Sequence, residues 1–232
     1  MANYLIIGGS SGIGQSLVHS LSKSGHSVTA TYFQGETIEK IPSVTYLQYD
    51  VKNPFTDSDL LPESLDGLVY CPGAIDLKPF GRISPEQFIE DYDLQVVGAI
   101  RVLQAVSSKL LKGANPSIVF FSTVAVQSGF PFHSKVSASK GAIEGLTRAL
   151  AAEYAPKIRV NAIAPSLTDT PLSSKLLSTA EKKEANAQRH PLKKIGEPKD
   201  LANLAEFLLS EKAAWITGQI IHVDGGMSSL KV

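Results

Sequence analysis

Two ionisable side chains, His133 and Lys140, have the types and the spacing to act together on a bound molecule. They stand seven residues apart in the run FHSKVSASKGAIEGL. Seven residues make two helical turns, so both side chains lie on one face if the helix predicted near 134–155 extends that far. Histidine exchanges a proton near neutral pH, which suits general acid catalysis, and lysine supplies a positive charge. The alternative is that His133, which follows GFPF, lies in a solvated loop without a catalytic role.

A glycine-rich turn near the start of the chain has the features of a phosphate-binding site. It reads Gly8-Gly9-Ser10-Ser11-Gly12-Ile13-Gly14 and stands between a predicted strand and a predicted helix. Glycines allow a sharp turn and a close approach of backbone N–H groups to an anion, and the helix N-terminus adds partial positive charge. The spacing differs from G-x-G-x-x-G, and a tight strand–helix turn without a ligand is the alternative.

The elements that must position these residues alternate along the chain. Seven short apolar runs predict buried strands near 4–9, 27–33, 43–49, 67–71, 117–122, 158–164 and 219–223. Helical patterns fall near 13–24, 84–111, 134–155 and 198–209. The alternation predicts an α/β fold, a single doubly wound Rossmann-type domain over 1–232. We expect a central, mostly parallel seven-stranded sheet with helices on both faces and with ligands at the carboxyl ends of its strands.

One polar segment departs from this alternation. The residues SSKLLSTAEKKEANAQRH at 173–190 follow a late strand. They predict a mobile helical insertion near 167–195 that lies over the strand ends and next to a bound substrate. A solvated surface helix is the alternative.

The composition argues against several classes of protein. Acidic and basic residues balance at 22 each, so no excess of charge favours nucleic acid or an anionic membrane. The single cysteine, Cys71, cannot form an intramolecular disulfide and suits a reducing compartment. The start MANYLIIGG lacks the features of a signal peptide, and no run reaches the ~18 apolar residues of a membrane-spanning helix. We therefore expect a cytoplasmic protein without a metal site and without a nucleic-acid or membrane partner.

Four segments resemble the short-chain dehydrogenase/reductase family, and they occur in the order that the family has. IGGSSGIG is similar to TGxxxGxG, YDV to an Asp-Val pair, RVNAIAPSLTDT to RVNxxxPGxxxT, and ITGQIIHVDGG to a C-terminal strand and turn. The resemblance implies Rossmann-type binding of NAD or NADP. Together with the end of the second strand, it predicts these cofactor-binding residues: Gly8, Ser10, Ser11, Gly12, Ile13, Gly14, Thr31, Asp50, Val51, Pro72, Gly73, Lys140, Pro165, Thr168 and Thr170.

The departures from the family fall at its catalytic positions. The family's active-site serine corresponds to Thr123, which keeps a hydroxyl, and its tyrosine corresponds to Val136, which cannot carry a proton. The lysine survives as Lys140. In the family it lowers the pKa of the tyrosine and also hydrogen-bonds the nicotinamide ribose, so the resemblance leaves Lys140 the second of these roles. Enoyl-reductase-like branches of the family use a tyrosine seven residues before the lysine, which is the position of His133. We therefore expect the catalytic residues Thr123, Lys140 and His133, the last as a replacement acid.

Three further departures surround these residues. Ser166 replaces the glycine that follows the family's proline, and Gln95 replaces its helix asparagine, which holds a proton-relay water. Tyr70-Cys71-Pro72-Gly73 replaces Asn-Asn-Ala-Gly. Tyr70, at the carboxyl end of a predicted strand, is a second candidate for the displaced acid.

Two classes of function remain open. The first is an NAD(P)-dependent oxidoreductase that acts on a small carbonyl, alcohol or enone substrate with an altered proton donor. The second is a nucleotide-binding protein without turnover, such as a redox sensor or a non-catalytic subunit. The retained groups Thr123 and Lys140 favour the enzyme.

The end of the second strand and the resemblance give two further expectations. The strand ends in TATYFQG, so no acidic side chain precedes Glu36 to bind the 2′-OH of NAD and to repel a 2′-phosphate. This favours NADPH over NADH. The resemblance implies a homodimer or homotetramer, associated through the helix that contains Lys140 and through the last helix and strand.

Overall fold

The seven predicted apolar runs form seven strands of one sheet in the computed structural model, which describes residues 1–34 and 41–231. The strands are β1 Asn3–Ile7, β2 Ser27–Tyr32, β3 Val44–Gln48, β4 Gly67–Tyr70, β5 Ser117–Phe121, β6 Arg159–Pro165 and β7 Ile220–Val223. Their order is β3-β2-β1-β4-β5-β6-β7, and each neighbouring pair is parallel. The predicted doubly wound α/β fold is therefore confirmed, with all seven strands parallel.

Helices cover both faces of this sheet. They are α1 Gly12–Lys23, α2 Pro85–Tyr92, α3 Gly98–Leu110, α4 Val124–Ser128, α5 Ser134–Tyr154, α6 Ala180–Gln188 and α7 Pro198–Leu209. Successive side chains of a strand point to opposite faces. In β1, Leu5 and Ile7 belong to the buried cluster that includes α3 and α5, whereas Tyr4 and Ile6 belong to the cluster that includes α1 and α7. A strand buried on both faces is apolar throughout, which is why the sequence revealed it as a continuous run.

A π-helical turn, Asp93–Val97, interrupts the helix predicted at 84–111 and separates α2 from α3. Such a turn widens the helix by one residue and is found frequently at functional sites. Within this turn, the side chain of Gln95 is fully buried. The apolar spacing continues across the turn, so the pattern predicted one uninterrupted helix.

The segment 167–195 leads from β6 towards α7. It contains a 3₁₀ turn at Pro171–Ser173 and the short helix α6, in which Ala187 is the buried residue. The mobility of the segment stays a prediction.

None of the helices within 1–34 and 41–231 combines the length and the apolar character needed to cross a membrane. The same two ranges contain no group of three or more histidine, cysteine or carboxylate side chains placed to hold a metal ion.

Candidate active site

The glycine-rich turn lies at the carboxyl end of the interior strand β1 and leads directly into α1. A Cβ added to Gly14 would lie 2.2 Å from the carbonyl oxygen of Gly8, so only glycine fits there. Gly8 and Gly12 have φ angles of +76° and +54°, in the left-handed region that favours glycine. Thr31 holds the turn from β2: its hydroxyl accepts from the N–H of Gly8 at 3.0 Å and its carbonyl accepts from the N–H of Gly9 at 2.9 Å.

A cavity of about 710 Å³, here called the glycine-turn cavity, opens beside this turn. It brings together most of the residues that were predicted to bind a cofactor: Gly8, Ser10, Ser11, Gly12, Ile13, Gly14, Thr31, Asp50, Val51, Pro72, Gly73 and Thr170. Asp50 accepts from the N–H of Lys52 at 3.0 Å through Oδ1. Among the described residues that line this cavity, Asp50 is the only acid and Lys52 the only base.

A second cavity of about 290 Å³, here called the Lys140 cavity, adjoins the first. Ile13, Cys71, Gly73 and Leu172 line both cavities, so the two share part of their walls. The predicted residues Thr123, His133, Lys140 and Pro165 line this second cavity, as does Val136. Thr168 lines neither: it is buried, and its hydroxyl donates to the carbonyl of Ser166 at 3.0 Å.

Lys140 lines the Lys140 cavity close to the wall that the two cavities share. It is 8 % exposed, and a Cβ added to Gly73, which lines both cavities, would lie 3.7 Å from its Nζ. Burial lowers the pKa of Lys140 to about 8, although the charge of Asp91 opposes the shift. A buried lysine of this kind carries a positive charge up to neutral pH and loses it in mildly alkaline solution.

A buried polar cluster supports Lys140 from α2 and the π turn. The Asp91 carboxylate accepts through Oδ2 from the Ser139 hydroxyl and from Gln95 Nε2, both at 2.6 Å. The side-chain oxygen of Gln95, Oε1, is buried without a hydrogen-bond partner. Gln95 Oε1 and Lys140 Nζ both lie close to Gly73, because a Cβ added to Gly73 would be 3.5 Å from the oxygen and 3.7 Å from the nitrogen. An unpaired buried acceptor beside an ammonium group is suited to a ligand hydroxyl.

Thr123 and Val136 form part of the wall of the Lys140 cavity. Thr123 caps α4, and its Oγ1 accepts from the N–H of Ala125 at 3.3 Å, which leaves the hydroxyl proton free to donate into the cavity. Val136 stands one helical turn before Lys140 on α5 and presents an apolar side chain. The wall therefore offers a hydrogen-bond donor at 123 and no titratable group at 136.

His133 is the N-cap residue of α5 and lies at the partly exposed edge of the Lys140 cavity. Its Nδ1 is 2.7 Å from the carbonyl oxygen of Pro131. A carbonyl only accepts, so Nδ1 carries the proton in the neutral ring and Nε2 is left for another partner.

The second candidate acid, Tyr70, lies outside the site. Tyr70 lines neither cavity, and its hydroxyl donates to the carbonyl of Leu94 at 2.6 Å. Since this hydroxyl is buried outside both cavities and already donates to a carbonyl, the suggestion that Tyr70 is the displaced acid is wrong; burial also raises the pKa of Tyr70 far above its ordinary value. Burial likewise raises the pKa of the Cys71 thiol to about 12.

Sequence reasoning missed His190 and Asp91. His190, which follows α6, lines the Lys140 cavity and is hydrogen-bonded to Ser166, whose replacement of a glycine was the only available signal. Asp91 stands in an ordinary amphipathic pattern, and nothing in that pattern marks its carboxylate as buried. Both residues gain their surroundings from contacts between distant elements.

Comparison with known proteins gives consistent matches over nearly the whole chain. The family model described as enoyl-(acyl carrier protein) reductase matches residues 8–228. A 3-oxoacyl-[acyl-carrier-protein] reductase FabG of Aquifex aeolicus is 31 % identical over 239 residues, with 96 % of each chain covered. L-xylulose reductase of Bos taurus is 31 % identical over 234 residues, which cover 96 % of this chain and 94 % of the relative.

Solved structures agree with these matches. A short-chain dehydrogenase family protein from Francisella tularensis superposes with a TM-score of 0.90 at 28 % identity, covering 99 % of this chain and 100 % of the other. ElxO with NADP bound superposes with a TM-score of 0.89 at 26 % identity and the same coverage.

Proposed function

Because the chain belongs to the short-chain dehydrogenase/reductase family and is an NAD(P)-dependent oxidoreductase, we propose that it uses NADPH to reduce a small ketone or enone whose carbonyl carries apolar substituents. The observation that carries the proposal is the position of Lys140 where the glycine-turn cavity meets the Lys140 cavity. A dinucleotide that starts at the glycine turn would reach its reactive end at this junction.

The residues of the glycine-turn cavity suit such a cofactor. Backbone N–H groups at the start of α1 would bind the pyrophosphate, and the free carboxylate oxygen of Asp50 would accept from the adenine amino group. Lys140 and the unpaired Gln95 Oε1 would bind the hydroxyls of the nicotinamide ribose. The cofactor, when bound, supplies the hydride.

The Lys140 cavity suits the substrate carbonyl. Thr123 would donate a hydrogen bond to the carbonyl oxygen, and the nearby Lys140 ammonium would stabilise the negative charge that develops on it. The product alcohol also requires a proton, which Val136 cannot supply. His133 is the candidate acid that the sequence suggests, through the ring nitrogen Nε2. The proposed function requires a proton donor and does not depend on which group supplies it.

The lining of the cavity favours one class of substrate. Most of its side chains are apolar, among them Ile75, Leu77, Phe121, Leu167 and Leu176. Such a lining suits the acyl chain of a 3-oxoacyl compound better than a sugar such as xylulose, whose hydroxyls would lose their hydrogen bonds to water. We therefore place 3-oxoacyl thioesters and other aliphatic ketones ahead of polyols.

The preference for NADPH depends on the end of β2. Thr31, Phe33 and Gln34 line the glycine-turn cavity there, and none of them is acidic. Glu36, the first acid of the sequence after β2, lies outside the described residues. Without a carboxylate to repel a 2′-phosphate, and with Lys52 on the cavity wall, NADPH is the proposed cofactor.

We also propose that the chain forms a homodimer or homotetramer. Trp215 is 100 % exposed and precedes β7, at the edge of the sheet where the last helix and strand lie. A large exposed aromatic side chain is the type that subunit interfaces bury. Sedimentation velocity of the wild type and of Trp215→Ala would test this, since the variant should dissociate more readily.

A second candidate function, nucleotide binding without turnover, is favoured by the apolar side chain of Val136. One experiment distinguishes the two. NADPH and NADH are titrated into the purified protein by fluorescence, and ketones, 3-oxoacyl thioesters and enones are then screened for NADPH oxidation. Tight binding with oxidation supports the reductase, tight binding without oxidation supports the silent protein, and the absence of binding contradicts both.

A further inference from the structure

A second histidine, His190, is fixed in the wall of the Lys140 cavity through both of its ring nitrogens. Nδ1 lies 2.9 Å from the carbonyl oxygen of Asn186, and Nε2 lies 2.8 Å from the hydroxyl oxygen of Ser166. Because the carbonyl of Asn186 only accepts, Nδ1 carries a proton. In the neutral ring Nε2 therefore accepts the proton of the Ser166 hydroxyl.

The pair is held firmly on both sides. The Ser166 N–H donates to the carbonyl of Val223 at 3.3 Å, and its own carbonyl accepts from Thr168. His190 is only 2 % exposed, and its ring edge packs against Gly225, where an added Cβ would lie 3.6 Å from Cδ2. Few side-chain rearrangements are available to either residue.

The position of Ser166 brings its hydroxyl to the same edge of the sheet as that of Thr123. Strands β5 and β6 are parallel neighbours, with Phe121 opposite Ile163. Thr123 follows the end of β5, Ser166 follows the end of β6, and both line the Lys140 cavity. Both residues therefore line one cavity from neighbouring strand ends, and the Ser166 hydroxyl is hydrogen-bonded to the imidazole of His190.

We propose that Ser166 and His190 deliver the proton in the reduction, an inference that rests on the proposed function and names its acid. When His190 is protonated, Nε2–H donates to Ser166 Oγ, and the Ser166 O–H is free to donate to the substrate oxygen. As the hydride of NADPH forms the C–H bond and the carbonyl π electrons move to oxygen, Ser166 gives its proton to that oxygen. Ser166 regains a proton from His190, which becomes neutral.

The balance of the step is complete. One hydride and one proton are added to the carbonyl, which becomes an alcohol, and NADPH becomes NADP⁺. After the product leaves, neutral His190 takes up a proton from water through Ser166. The pair thus supplies the proton that Val136 cannot supply. It does so from the end of β6 and not from α5.

The test uses the full chain with NADPH and the ketone that it reduces fastest. Ser166→Gly removes the hydroxyl, and His190→Gln keeps a hydrogen-bonding group of similar length that cannot transfer the proton. Both should lower kcat by ~10²–10⁴-fold, the usual contribution of a general acid, while the Kd for NADPH stays unchanged. The solvent deuterium isotope effect on kcat should also change. His19→Gln, on the exposed side of α1 and outside both cavities, is the matched control and should behave as the wild type.

Other results would overturn the inference in distinguishable ways. If the wild type reduces ketones and both variants keep its kcat and isotope effect, the pair is not the donor, although the proposed function survives. If His133→Gln lowers kcat while Ser166→Gly and His190→Gln do not, the acid is His133. If His190→Gln fails to fold, Ser166→Gly decides alone, because glycine is the residue that the family has at this position. If the wild type binds NADPH and reduces nothing, the proposed function itself fails.

Discussion

The hydroxyl of Ser139 on α5 donates at 2.6 Å to the buried carboxylate of Asp91 on α2. Ser139 stands directly before Lys140 in the chain. This hydrogen bond fixes a negative charge beside a buried ammonium group. The charge of Asp91 keeps the pKa of Lys140 from falling further than about 8. A carboxylate on α2 therefore helps to keep a buried lysine of α5 protonated.

Removing that charge should shift the pH dependence of cofactor binding. Lys140 is proposed to bind as the ammonium, the form present below its pKa and lost as the pH rises through it. In Asp91→Asn the pKa of Lys140 should fall below about 8, so the affinity for NADPH should decline at a lower pH than in the wild type. Fluorescence titrations at a series of pH values across 8 would measure this.

Asp93→Asn is the matched control for Asp91→Asn. Asp93 lies in the adjoining π turn, pairs with Arg101 at 2.8 Å and lines neither cavity. Its removal should leave the pH dependence unchanged. Identical pH dependences of NADPH binding for Asp91→Asn and the wild type would refute the assigned role of Asp91.

Replacing the lysine itself should weaken cofactor binding whether or not the protein turns over. Lys140→Ala removes the proposed ribose contact, and hydrogen bonds to charged groups are worth about 1.5–3 kcal/mol, so the Kd for NADPH should rise roughly 10-fold to 150-fold. Isothermal titration calorimetry gives the constant directly. Lys135→Ala is the control, because Lys135 is also buried on α5 but pairs with Asp76 at 2.7 Å outside both cavities. Equal losses in both variants would contradict the ribose contact.

A tyrosine at position 136 should rescue a chain that has lost its proton donor. In a Ser166→Gly background, Val136→Tyr places a phenol one helical turn before Lys140 and should recover much of the lost ~10²–10⁴-fold in kcat. Val136→Phe in the same background adds the ring without the hydroxyl and should recover nothing. Stopped-flow measurement of NADPH oxidation compares the three chains. Recovery with phenylalanine would mean that the ring acts by packing.

The glycine turn should not tolerate a single methyl group at Gly14. The Cβ of Gly14→Ala would lie 2.2 Å from the Gly8 carbonyl oxygen, so the turn must shift. We expect the free energy of unfolding to fall by about 1–3 kcal/mol and NADPH binding to be lost. Gly81→Ala, where a Cβ meets nothing within 4 Å, is the control and should leave both quantities unchanged. Urea unfolding and fluorescence titration measure them.

The sequence predicted the parts of this molecule that depend on neighbouring residues. Strands buried on both faces are apolar throughout, and the glycine turn is a local device, so both were visible as patterns. The hydrogen bond between Ser166 and His190 joins the end of β6 to the second residue after α6, 24 positions later, and no local pattern encodes such a contact. The π turn was missed for a related reason, since one extra residue in a helix changes which side chain faces inward without changing the apolar character of the segment.

Thr31 has a consequence for the way in which a dinucleotide would bind. Its hydroxyl and carbonyl already occupy the N–H groups of Gly8 and Gly9, so the turn is ordered before any ligand arrives. The pyrophosphate of the cofactor must therefore bind to backbone N–H groups after Gly9, at the start of α1. Because the turn is already ordered, little backbone entropy is lost when the cofactor binds. The side chain in Thr31→Val cannot accept a hydrogen bond from the Gly8 N–H, so the glycine turn would be less ordered before the cofactor binds. The entropy of binding, measured by calorimetry, would then be less favourable than in the wild type.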